Sequence, residues 1–200
     1  MKQVVLISCV SKKKNKPAPA YELYDSTLFD KNLKYAKILN PDLIFILSAQ
    51  YGVVPLDERI KPYDKTLNKM KKSERKQWAN KVINQLKEYA DLKNDKFIFL
   101  AGKKYRKYLL PEIEKYKIPL KGKRIGEQLS YLSEKIEIGQ KCSELHKLIK
   151  NKARFTFPFD SNEIPDNGIY ILFEKGEYGH ADERIVRVGT HRGDRELPSR

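Results

Sequence analysis

Cysteine is scarce in this chain. The two that occur, Cys9 and Cys142, lie far apart, which excludes a disulfide framework and a four-cysteine zinc site. A reducing, cytoplasmic setting is the simpler expectation. Long apolar runs are missing as well. No segment reaches the roughly 20 residues of a membrane-spanning helix, so no membrane partner is expected. The N-terminal MKQVVLISCVSKKK has a short apolar run, but its positive charge follows that run instead of preceding it. It reads as a first buried strand and not as a signal peptide.

Acidic residues are also in deficit. Asp and Glu number 26 against 41 Lys and Arg, for a net charge of +15. The deficit is local: residues 1–150 hold 33 cations and 17 anions, whereas residues 151–200 hold 8 and 9. A surface so charged attracts polyanions through counterion release and its long-range field. The bland reading is a lysine-rich surface serving solubility, since 29 of those 33 cations are Lys. The charge favours nucleic-acid contact over that reading. The apolar fraction of 40% supports a packed core and excludes a disordered chain. The length suits one ordinary domain with part of another, or one large domain.

What is present is an alternation. VVLISC (Val4–Cys9), LIFILS (Leu43–Ser48) and FIFLAG (Phe97–Gly102) are continuous apolar runs ending in small or polar residues. Runs apolar on both faces are what a parallel sheet covered by helices requires. Helical spacing lies between them. Leu33, Ala36 and Leu39 share a face within 28–39. Ser73 is a candidate N-cap for a helix carrying Trp78, Val82 and Leu86, with Tyr89 or Ala90 next. Residues 126–150 place Leu129, Leu132, Ile136, Cys142, Leu145 and Ile149 on one stripe. The predicted class is α/β, with a mostly parallel sheet flanked by helices in three layers. The first domain spans 1–150. Residues 151–167 break the rhythm with Pro158, Pro165 and an Asp-Asn-Gly turn, and form a linker; the alternating Phe155, Phe157 and Phe159 give it a strand or an extended course. Two further strands, IYILFE and RIVRVG, are separated by the polar loop KGEYGHADE and belong to a partial second domain, 168–200.

In open parallel sheets, ligands bind beyond the carboxyl ends of the strands. Polar, small and aromatic residues gather there. Ser8 and Cys9 precede the basic loop with Lys12 and Lys13. Ser48, Gln50, Tyr51 and Gly52 follow the second strand, and Gly102 and Tyr105 the third. Tyr63 and Asp64 can fold over the same crevice. This inventory suits a base and its phosphate. Each residue also has a structural reading: Ser8 and Ser48 as strand-end caps, Cys9 as a small hydrophobe, Gly52 and Gly102 as turns, Tyr51 and Tyr63 as core-edge aromatics, Asp64 as a turn cap. Taken together, three strands ending in polar loops favour a shared pocket.

The blocks ISCVSKKK, PAPAYELYDSTLFDKNLKYA, ILSAQYGVVPLDERIKPYDKTL, LAGKKY and PLKGKRIGEQLSYL resemble an uncharacterised bacterial and phage α/β domain family over roughly residues 3–133. The segment ILSAQYGVVP…KPYD is also distantly similar to an accessory domain of archaeal tRNA-guanine transglycosylases, which has a uracil-DNA-glycosylase-like fold. That similarity implies a nucleobase or nucleic-acid ligand, with Ser8, Cys9, Lys12, Ser48, Tyr51, Gly52, Tyr63 and Asp64 at the matching positions. The catalytic Asp–His pair of uracil glycosylases has no counterpart. The only histidine of the first domain is His146, and Asp64 is the candidate to orient water or stabilise an oxocarbenium ion.

Gly168-Ile169-Tyr170 followed by Val188-Gly189 resembles the first two strands of GIY-YIG nucleases. The resemblance assigns Tyr170 as general base or partner of the attacking water, and Arg200 as the phosphate-stabilising Arg. Arg187 stands where that family has Tyr, and His191 is a candidate for proton transfer. A complete domain of this kind uses Mg or Mn, bound by a later Glu; no metal ligand is read in this chain. The chain reads as a shortened form, and no nuclease activity is expected of it. Three functions stay open: a nucleic-acid- or nucleobase-binding domain joined to a partial nuclease domain, a base-acting glycosylase or transglycosylase, and a non-catalytic nucleic-acid-binding module. The expected partner is nucleic acid, DNA ahead of RNA.

Overall fold

The computed structural model describes residues 1–156, 158, 168–179 and 182–191. Its first compact unit spans Met1–Ile136 and its second Glu137–Arg200. The sheet of the first unit begins with β1 (Gln3–Ser8), whose Val4 to Ile7 are buried on both faces. A short strand β2 (Ala18–Pro19) and a single helical turn α1 (Ala20–Leu23) follow. Helix α2 (Thr27–Ile38) turns Phe29, Leu33 and Ala36 inward. It stops where Asn40 adopts φ 45°, a left-handed conformation that Asn tolerates, and Pro41 then prevents its resumption.

Strand β3 (Leu43–Ser48) lies parallel to β1, with Val4 opposite Leu43 and Ser8 opposite Leu47. The chain then doubles back as β4 (Gly52–Pro55), antiparallel to β3. The two-residue β5 (Arg59–Ile60) pairs with β2 in a separate ribbon. Helix α3 (Lys72–Leu86) buries Trp78, Val82, Ile83 and Leu86. Its start differs from the expected Ser73 cap: Lys71 is the N-cap, and its backbone N–H donates to Glu74 Oε2 at 2.6 Å. The Glu side chain, reaching back, accepts the N-cap backbone N–H, the half of a capping box that needs no serine.

Strand β6 (Lys96–Leu100) pairs parallel to β1 on the side away from β3. Then come α4 (Lys103–Arg106), a 3₁₀ turn at Leu110–Glu112, and β7 (Tyr116–Lys117), parallel to β6. The order is β4-β3-β1-β6-β7. This is the expected α/β architecture, a mostly parallel sheet flanked by helices. The edge strands β4 and β7 and the β2–β5 ribbon were not legible, being too short to carry a period.

Helix α5 (Ile125–Ile149) begins in the first unit, where Leu132 and Ile136 are buried. Tyr131 meets Tyr35 of α2 edge-on, and Lys31 donates to the Ser133 hydroxyl. Burial of each large apolar side chain contributes roughly 1.5–3 kcal/mol, and one continuous cluster from Val4 to Ile136 holds the unit together.

In the second unit, residues 153–156 are neither helix nor strand, so the expected strand over Phe155 does not form there; Phe157 and Phe159 lie outside the described residues. Strands β8 (Gly168–Gly179) and β9 (Asp182–His191) form an antiparallel hairpin. They run well into the segment expected to be the loop KGEYGHADE. The ladder is interrupted by irregularities at Leu172/Phe173 and Phe173/Tyr178, and polar residues on both faces erase the alternation by which a strand is usually read. No helix among the described residues is long and apolar enough to cross a membrane.

Candidate functional site at the strand carboxyl ends

The chain leaves β1 toward β3 and later returns to β6 on the other side of β1. The strand order therefore reverses at β1, and the crevice expected at such a point would lie between the carboxyl ends of β1 and β6. In open α/β sheets that switch point is where ligands bind. Cys9 stands just past β1 and Tyr105 just past β6. Cys9 Sγ and the Tyr105 hydroxyl are 3.1 Å apart, bridging the crevice.

Ser48 ends β3 and is fully buried. Its hydroxyl donates to the Tyr63 hydroxyl at 2.8 Å and accepts the backbone N–H groups of Gln50 (3.3 Å) and Tyr51 (3.1 Å). Tyr63 meets the Tyr24 hydroxyl at 2.9 Å. The Ser48 carbonyl accepts the indole N–H of Trp78 at 2.9 Å, and the Trp78 ring packs edge-on against Tyr105. Hydrogen bonds and this ring contact together link the ends of β1, β3 and β6 to α3.

Lys13 covers this layer. Its ammonium lies 4.2 Å from the Tyr63 ring centroid and 5.8 Å from that of Tyr24, within cation–π range. Partial burial pushes the Lys13 pKa below the usual lysine value, with Cys9 and the exposed Asp64 opposing that shift. Burial, and then the neighbouring Cys9, push the phenols of Tyr24, Tyr63 and Tyr105 above the ordinary tyrosine value. Near neutral pH these are uncharged hydroxyls. They can donate to a carbonyl or an anionic oxygen, and they cannot serve as proton-abstracting bases.

The other expected residues have narrower places. The Tyr51 hydroxyl donates to the Lys61 carbonyl at 3.3 Å, and its ring meets Tyr63 edge-on at 5.4 Å. Gly52 has φ +88°, and a Cβ there would collide with Gln85 Oε1. Gln85 of α3 holds that turn by accepting the Val53 N–H and donating to the Tyr51 carbonyl. Gln50 exposes its side chain. Lys12 is exposed and paired with Asp25 at 2.5 Å, an arrangement worth about 0–1 kcal/mol. Ser8 lies opposite Leu47, and its side chain joins no hydrogen bond of the network among the described residues. Gly102 is exposed, has open space where a Cβ would stand and caps α4, so it serves a turn. Tyr24, Trp78 and Gln85 were not among the expected site residues, although Trp78 was placed on its helix. The signal for Trp78 was available: a lone, buried indole N–H needs an acceptor.

On the hairpin of the second unit, Tyr170 lies opposite Gly189. A Cβ on Gly189 would run into the Tyr170 ring, so the aromatic ring covers the glycine. Arg187 places its guanidinium 6.0 Å from the centroid of the same ring. His191 ends β9 opposite Gly168, and Arg200 lies outside the described residues. No group of three or more metal-ligating side chains occurs among the described residues.

No curated protein and no solved structure matches the chain. A family model matches residues 4–134, from the first buried strand into α5 and across the whole strand-end cluster. The chain belongs to that family, the family of unknown function DUF6884.

Proposed function

We propose that residues 1–136 form a nucleic-acid-binding domain of a DNA- or RNA-processing protein, which receives a base or its backbone at the carboxyl ends of β1, β3 and β6. The observation that carries this reading is the contact of Cys9 with Tyr105 across the β1–β6 switch point, beside neutral phenols and the Lys13 ammonium. Hydroxyl donors suit the carbonyls of a base, and the excess of cations suits its phosphates. The similarity of ILSAQYGVVP…KPYD to the uracil-DNA-glycosylase-like accessory domain supports a nucleobase ligand. The resemblance of Gly168-Ile169-Tyr170 and Val188-Gly189 to GIY-YIG strands supports a nuclease context; Arg187 in place of Tyr departs from it. The test is fluorescence anisotropy with a short labelled oligonucleotide across a salt series. Steeply salt-dependent binding that weakens in Lys13→Ala/Tyr63→Phe is expected. Unchanged affinity in that variant sinks the placement.

One observation favours a base-acting enzyme as the second reading. Asp64 is an exposed carboxylate next to Tyr63 and close enough to act on the Lys13 ammonium. Abasic-site formation on modified DNA, lost in Asp64→Ala, would select this reading over plain binding.

A further inference from the structure

The segment Lys103-Lys104-Tyr105-Arg106-Lys107-Tyr108 divides its side chains between two directions. Tyr105 turns inward to Cys9 and Trp78. Arg106 folds back, and its guanidinium donates to the Ala101 carbonyl at 2.6 Å. Lys103, Lys104, Lys107 and Tyr108 turn outward and, with Arg75 of α3, line an open cleft of about 190 Å³. The spacing of 103, 104 and 107 puts all three ammonium groups on one helical face. Arg75 stands one turn before Trp78 on α3, so the cleft lies just beyond the Trp78–Tyr105 pair, next to the strand-end cluster.

Four cations share this cleft, and no carboxylate lines it. Among the described residues, none of the four forms an ion pair with a carboxylate. Lys104 Nζ donates to the Asn68 carbonyl at 3.3 Å, a neutral partner. Converging like charges repel unless an anion lies between them. The volume is below the roughly 300 Å³ at which enclosed small-molecule pockets begin, and the cleft is open. That shape suits a length of polymer lying across the surface. Tyr108, half-buried, adds an aromatic face among the cations, with the Lys107 ammonium 5.5 Å from its centroid. Cations that track a backbone beside a ring for stacking are the features of a single-strand site; in a duplex the bases are already stacked on one another.

We infer that Arg75, Lys103, Lys104 and Lys107 hold the backbone phosphates of a single-stranded nucleic acid, one of whose bases stacks on Tyr108. This rests on the nucleic-acid reading above and extends it to a phosphate-binding subsite that leads into the switch-point crevice.

The experiment compares two charge-reversal variants with the same change in net charge. Lys103→Glu/Lys107→Glu alters the cleft. Lys93→Glu/Lys115→Glu alters the amino end of β6. Anisotropy with labelled single-stranded and duplex oligonucleotides is followed across a salt series, and thermal melts confirm that each variant is folded. The cleft variant should lose about tenfold or more in single-strand affinity, and its log K against log salt slope should flatten by about 0.7 for each lost contact. The control should lose far less. Tyr108→Ala should weaken single-strand binding by about fivefold or more, with duplex binding and the salt slope unchanged. Equal losses in the two charge variants overturn the cleft assignment while leaving the nucleic-acid reading standing. Equal effects of Tyr108→Ala on single strand and duplex, or none on either, overturn the single-strand assignment. Absence of binding by the unsubstituted chain overturns both readings.

Discussion

Cys9 Sγ and the Tyr105 hydroxyl lie 3.1 Å apart, although 96 residues separate them in the chain. The contact is buried, and it joins the segments that follow β1 and β6 at the switch point of the sheet. Thiol chemistry at Cys9 is therefore a direct probe of whether the crevice is closed. In Cys142→Ser, labelling of Cys9 by a disulfide reagent should be slow in native buffer and fast in denaturant. Tyr105→Phe, which keeps the ring and removes the hydroxyl, should speed the native labelling. Rapid labelling of the unsubstituted Cys9 would show that the crevice stands open.

Ser48→Ala should be costly for so small a change. It removes the acceptor of two backbone N–H groups and the partner of Tyr63. Leaving such groups unmet costs about 1–3 kcal/mol. Urea unfolding should show a lowered midpoint with an unchanged slope.

Trp78 is the single tryptophan, so its emission reports on the strand-end cluster alone. Its indole N–H donates to the Ser48 carbonyl, and its ring packs edge-on against Tyr105. An oligonucleotide bound at the crevice should change that emission, and Lys13→Ala should weaken the change. Binding with emission unaltered would place the ligand elsewhere.

The buried phenols set an alkaline limit. Tyr24, Tyr35, Tyr63 and Tyr105 all have pKa values raised, first by burial. A group whose folded pKa exceeds its unfolded value of about 10 contributes stability that is complete below pH 10 and declines above it. Lys13 and Arg106, with their pKa values lowered by burial, act in the opposite sense. Stability should therefore fall steadily above about pH 10. Absorbance titration should show these tyrosines ionising only as the protein unfolds.

Gly52→Ala should destabilise twice over. It puts a Cβ at φ +88° and drives it into the Gln85 amide. Gly102→Ala, with open space and no left-handed backbone, is the matched control and should leave the melting temperature nearly unchanged.

The parallel strands and the three long helices were legible because each carries its own period. VVLISC, LIFILS and FIFLAG are apolar on both faces, and α2 and α5 begin and end within one residue of their expected bounds, whereas α3 starts two residues early and stops at Leu86, short of the expected Tyr89 or Ala90. The convergence of Cys9, Lys13, Ser48, Tyr63 and Tyr105 followed from a single rule about where parallel strands end. What escaped was set by non-local partners. Tyr24 joins through Tyr63, 39 residues away, and Gln85 holds a turn 32 residues before it; no spacing announces either. Ser8 and Gly102 looked equivalent to Ser48 and Gly52 because a sequence gives position along a strand but not which side chains find acceptors.

Ser48 has a consequence for how the domain opens. Its hydroxyl and carbonyl together hold the turn at 50–51, the loop at Tyr63 and the helix at Trp78. None of these segments can leave without stranding a buried polar atom of the others. Amide exchange at Gln50 and Tyr51 should therefore share one protection factor with the Trp78 indole proton, as members of a single opening unit. A surface turn, ordinarily among the first parts of a protein to fray, is in this domain tied to the exchange rate of the core.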